Sequence, residues 1–228
     1  AASNGFLYVG GTFTQANVGA PIAANRIARW NGSIWSSLGS GTGNGVNNDV
    51  LALAVGSGGE VYAGGRFTEA NTGAVTPTPT SRIARWNGSI WAPLGSGGGN
   101  GVLGGTNEVQ ALAVSGTNLY VGGSFSQVNV NGPFVAANNI ARWSGFGWSP
   151  MGTGGGNGVN NTVHALAASG NTLFVGGSFL AANIGAPSST TVNYLAQWNA
   201  LTGVWSSVGS GGNGVDQPVY ALAITPTN

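Results

Sequence analysis

The chain has no cysteine and no lysine, and only 5% of its 228 residues are charged. Without cysteine there is no disulfide framework and no thiolate zinc site. The charged fraction is far below the roughly 25% of an average soluble domain. Six arginines against five acids leave a net charge of +1. That makes neither the basic stripe that nucleic acid demands nor a polybasic membrane patch. No run approaches the roughly 20 apolar residues of a membrane helix, so neither nucleic acid nor membrane insertion is expected. Ala1-Ala2-Ser3-Asn4 has no basic or long apolar segment, so any signal peptide is expected to be already gone, or the sequence to begin after it. The acids Asp49, Glu60, Glu69, Glu108 and Asp216 do not cluster at calcium-loop spacing, and His164 is the one histidine. The glycine-rich runs lack the helix and Lys-Ser/Thr of a phosphate loop. No metal and no cofactor is expected.

What the chain does have is a four-fold internal repeat. Leu7-Tyr8-Val9-Gly10-Gly11-Thr12-Phe13 returns at 61–67, 119–125 and 173–179, with Asn17, Asn71, Asn129 and Asn183 four positions after each Phe. Ile27-Ala28-Arg29-Trp30 recurs as Ile83 to Trp86 and Ile140 to Trp143, then as Leu195-Ala196-Gln197-Trp198. A second tryptophan follows at Trp35, Trp91, Trp148 and Trp205. Next comes Gly-Asn-Gly-Val with its Asn at 44, 100, 157 and 213, spaced by 56, 57 and 56. The last landmark is Val50-Leu51-Ala52-Leu53-Ala54-Val55, repeated from Val109, Val163 and Val219.

Each block thus holds four short apolar runs rich in β-branched and aromatic residues, separated by Gly, Asn, Ser and Pro, which reads as strands. Asn31-Gly32 and Asn87-Gly88 between paired tryptophans predict tight hairpins with both turn residues at positive φ. Four antiparallel strands per repeat predict an all-β fold, a β-propeller of four blades in a single domain over residues 1–228. The expected blades are 6–39 plus 219–224, then 49–95, 108–152 and 162–209. In this arrangement the C-terminal strand joins the N-terminal blade and closes the ring. The alternative is that the strand completes a blade in a neighbouring molecule.

These motifs over residues 6–224 resemble the secreted bacterial and fungal propeller repeats related to kelch, including blades of the fungal cortical cell-polarity marker proteins. The repeated Trp and Gly give a fainter similarity to tachylectin-type sugar-binding propellers. The resemblance implies a propeller and a secreted, extracellular or cell-surface setting. Members of the family usually carry more than four blades.

The recurrence of Trp30, Trp35, Trp86, Trp91, Trp143, Trp148, Trp198 and Trp205 points to packing between blades. The loops after each Phe run 13–15 residues, and their Gln15, Asn17, Glu69, Asn71, Gln127, Asn129 and Asn183, all but Glu69 neutral, offer hydrogen-bonding groups of the kind sugar hydroxyls prefer. The competing role for each Asn is to cap its own loop. Asn31, Asn87 and Asn160 begin Asn-x-Ser/Thr triplets, possible glycosylation acceptors in a eukaryotic host. His164 sits at a variable position shared with Leu51, Gln110 and Tyr220, and Asp49 and Glu108 occupy matching places before the inner strand. The leading expectation is a non-enzymatic structural or self-assembling surface module whose partners are copies of itself or other surface proteins. A lectin-like propeller with one weak glycan site per blade is the alternative. An enzyme acting on glycans through Asp49 and Glu108 is the remote one.

Overall fold

The structure is a computed structural model that describes residues 1–3, 5–210 and 213–225. The fold is all-β: among the described residues there is no helix, and antiparallel sheets of two to four strands carry the regular structure. Four sheets have four strands each. Sheet one is β1 (Ala2–Ser3), β2 (Phe6–Gly10), β3 (Ile27–Trp30) and β4 (Trp35–Ser37), hydrogen-bonded in that order. Sheet two is β5 (Val50–Val55), β6 (Val61–Gly65), β7 (Ile83–Trp86) and β8 (Trp91–Pro93). Sheet three is β9 (Glu108–Ser115), β10 (Asn118–Ser124), β11 (Ile140–Trp143) and β12 (Trp148–Pro150). Sheet four is β13 (Val163–Ser169), β14 (Thr172–Gly177), β15 (Leu195–Asn199) and β16 (Val204–Ser207).

The hairpin between the paired tryptophans differs from the expected tight turn. Trp30 pairs with Trp35, so the loop is four residues long. Of Asn31 and Gly32, only the glycine has positive φ, at 95°. Asn31 acts through its side chain instead: Oδ1 accepts the amides of Ser33 and Ile34 at 2.9 and 2.7 Å. Asn87 does the same for Ser89 and Ile90. The short carboxamide closes the turn more readily than the backbone would.

The core lies between sheets rather than at one centre. One apolar cluster joins Tyr8, Ile27 and Leu38 to Val50, Trp86 and Trp91; a second joins sheets two and three, and a third sheets three and four. The double glycines explain the close approach. A Cβ on Gly10, Gly64, Gly122 or Gly176 would collide with Val50, Val109, Val163 or Val219 of the following unit. The Gly-Asn-Gly-Val motif locks each unit internally. Gly45, Gly101, Gly158 and Gly214 donate to the carbonyls of Leu38, Leu94, Met151 and Val208 at 2.6–2.8 Å.

The expected closure does not occur. Among the described residues, 219–224 form no ladder with β2. The run lies instead against sheet four: Val219 N–H donates to Gly177 O at 3.1 Å, and Val219 and Leu222 cover Gly176. The physical reason is the edge of β2. It is partly taken by β1, through Ala2↔Leu7 and Ser3↔Phe6, and by Ala1, which exchanges two backbone hydrogen bonds with Tyr8.

Candidate functional site

Two features gather chemistry: a polar line where the inner strands converge, and an open side of sheet one. The first follows from a repeated irregularity. The pairing of each inner strand skips one residue, between Val50 and Ala52, Val109 and Ala111, and Val163 and Ala165. The skipped residues are Leu51, Gln110 and His164. A bulge turns its extra side chain away from the regular pleat. Here all three, with Tyr220 and Arg66, line one open pocket of 340 Å³.

The groups in this line are chained by hydrogen bonds. Arg66 Nε donates to Glu108 Oε2 at 2.8 Å, and its guanidinium lies 3.8 Å from Asp49. Gln110 Nε2 donates to the other Glu108 oxygen. Gln110 Oε1 therefore faces His164 Nδ1, 2.5 Å away, and so Nδ1 carries the proton. His164 Nε2, at 2.8 Å, then accepts from the Ser178 hydroxyl. Tyr220 stacks on the imidazole with ring centroids 4.8 Å apart. Burial holds the imidazole below its usual 6.5, against the pull of Glu108, so the ring is neutral at pH 7. Burial also opposes ionisation of Glu108, but hydrogen bonds from Arg66 and Gln110 outweigh it and hold the carboxyl below its usual range. Arg66 thus stands between the two carboxylates singled out in the sequence. The sequence showed His164 and Gln110 only as a variable position; the bulge that aligns them leaves no signature there.

The hydrogen-bonding loop residues have definite places. Gln15, Glu69 and Gln127 sit at equivalent positions on short ribbons, opposite Ala23, Pro79 and Ala136. The Asn residues all have φ of 55–65°. Three of them reach back into the preceding unit rather than toward a common site. Asn71 grips both backbone groups of Ser40 at 2.9 and 3.0 Å, Asn129 grips Ser96 at 2.8 and 3.0 Å, and Asn183 accepts from Thr153 N at 2.8 Å. Asn17 belongs to the first unit, and among the described residues its side chain bonds within its own loop, to Ala20 O at 2.9 Å. Asn160 Oδ1 accepts the amides of Leu180 and Ala181.

The tryptophans show the same directional pattern. The indole N–H of Trp91 donates to Leu38 O at 3.0 Å, Trp148 to Leu94 O at 3.1 Å, and Trp205 to Met151 O at 2.9 Å. Each bond crosses to the preceding unit. Trp30 and Trp35, on the side of sheet one that faces no unit, are half-buried, whereas their six counterparts are buried. Leu7 on the same side is 46% exposed, against 0% for Val61 and 1% for Leu119 and Leu173. A pocket of 230 Å³ opens here among Val9, Phe13, Asn17 and Trp35. Among the described residues, no other sheet covers the side of sheet one that carries Leu7, Trp30 and Trp35.

No protein-family model matches this sequence, and no curated protein matches it.

Proposed function

We propose that this chain is a non-enzymatic module of an extracellular or cell-surface β-propeller type, in which each sheet is a blade, and that it works by associating with copies of itself. The observation that carries the reading is that every repeat leaves large apolar side chains exposed: Val18 and Ile34, Val75, Phe134 and Phe146, and Leu201 are each more than half exposed. Neutral composition supports the same reading, since a surface almost free of charge sets up little repulsion between copies. The polar line along the inner strands supports it from the other side, because Gln110 and both nitrogens of His164 are already occupied by internal hydrogen bonds. Light scattering across a concentration series tests it. The mass is expected to rise above the 22.5 kDa of the single chain. A particle that stays at that mass throughout overturns the proposal.

A further inference from the structure

Seven Asn-Gly pairs lie wholly within the described residues, beginning at Asn31, Asn44, Asn87, Asn100, Asn131, Asn157 and Asn213. In such a pair the glycine amide can attack the asparagine side-chain carbonyl and close a five-membered imide, because no Cβ hinders the approach. The attack needs a glycine N–H that is free, room for the ring, and an asparagine carbonyl that is polarised. The fold meets these needs at two of the seven positions.

Five of the pairs are locked. Gly45, Gly101, Gly158 and Gly214 donate their N–H to backbone carbonyls at 2.6–2.8 Å, and Gly132 donates to Asn129 O at 3.1 Å. They are also crowded. A Cβ on any of the first four would come within 2.0 Å of a backbone oxygen, and one on Gly132 within 2.7 Å of Gly99 N.

Asn31-Gly32 and Asn87-Gly88 differ on every count. All four residues are exposed. Among the described residues, the N–H groups of Gly32 and Gly88 make no hydrogen bond, and a Cβ on either glycine would meet nothing within 4 Å. Asn31 Oδ1 receives the amides of Ser33 and Ile34, and Asn87 Oδ1 those of Ser89 and Ile90, at 2.7–3.0 Å. Two N–H donors on one carbonyl oxygen stabilise the charge that a tetrahedral intermediate places there. The fourth unit holds an internal control. Asn199 Oδ1 receives the amides of Leu201 and Thr202 at 2.9 and 3.1 Å, but its neighbour is Ala200, whose N–H is tied to Asn171 O at 2.8 Å.

We infer that Asn31 and Asn87 are sites of spontaneous, backbone-assisted deamidation, which the fold confines to these two hairpin tips. The glycine nitrogen bonds to Cγ and gives its proton to solvent base; the Cγ–Nδ2 bond breaks, and Nδ2 leaves as ammonia. Water then opens the imide. Addition at Cγ gives aspartate, and addition at the main-chain carbonyl gives isoaspartate, with no oxidation or reduction. Either product sets a carboxylate near the exposed Ile34 or Ile90. Two such events take the net charge from +1 to −1. Isoaspartate also lengthens the turn backbone by one methylene. The chain thus carries an irreversible change of surface charge whose rate rises with hydroxide.

The test is incubation of the full chain, produced without N-glycosylation, at mildly alkaline pH. Peptide mapping by mass spectrometry reads each site, and enzymatic methylation detects isoaspartate. Asn31 and Asn87 are expected to convert about tenfold faster than the other five, whose glycines must first break a backbone hydrogen bond. A parallel sample unfolded in urea should bring the seven rates together. Gly32→Ala should slow Asn31 while Asn87 in the same molecule keeps its parental rate, which reports that the rest of the fold is intact. Equal rates at all seven sites in the folded chain would overturn the inference. A lead of Asn31 and Asn87 that persists in urea would overturn it too, because local sequence rather than the fold would then set the order. Conversion of Asn199 as fast as Asn87 would overturn the requirement for a free glycine amide.

Discussion

Replacing Trp148 with Phe and, separately, Trp35 with Phe should give unequal losses, although the two residues occupy the same place in the repeat. Trp148 is 7% exposed and donates its indole N–H to Leu94 O at 3.1 Å. A net hydrogen bond is worth about 1 kcal/mol. Phe also removes roughly 40 Å² of buried surface, another kcal/mol or so at about 25 cal/mol/Å². Leu94 O keeps its bond from Gly101 N–H, so no carbonyl is stranded and no further penalty is due. The expected cost is about 2 kcal/mol, a fall in Tm of about 4–8 °C at this chain length. Trp35 is half-buried, and among the described residues its indole N–H makes no bond like that of Trp148. Its replacement should cost no more than about 0.5 kcal/mol, as for an ordinary surface change. The assay is thermal unfolding followed by far-ultraviolet circular dichroism, which does not depend on the fluorophore removed, at a concentration where the chain is monomeric. Equal losses at the two sites would refute the reasoning.

Gly122→Ala should destabilise by about 1–3 kcal/mol, since its Cβ would strike Val163 across the sheet interface, and Val163→Ala in the same chain should recover part of that loss. Gly147→Ala, with nothing within 4 Å, should be near neutral, and denaturant titration reads all three. The pH dependence follows from His164. Its folded value lies below the ordinary 6.5, so the neutral ring favours folding, and stability should fall as pH drops below 6.5. Glu108 is held low and loses its contribution only under more acidic conditions. Unfolding midpoints at about pH 7.5 and about pH 5.5 should therefore differ in the parent and converge in His164→Gln; an unchanged difference in the variant would assign the effect elsewhere.

Strand placement was legible in the sequence because periodicity, double glycines and paired tryptophans all repeat, and repetition averages out local ambiguity. The all-β fold and its antiparallel sheets follow directly. Asn71, Asn129 and Asn183 were visible as a recurrent polar position, but not as ties to Ser40, Ser96 and Thr153, which lie about 30 residues earlier and are joined to them only by stacking. The same limit applies to His164 and Gln110: a one-residue bulge leaves no mark in composition, yet it decides which side chains share a pocket. Ring closure failed for a different reason. Repetition marks 219–224 as an inner strand; it does not show that β1 and Ala1 take part of the β2 edge.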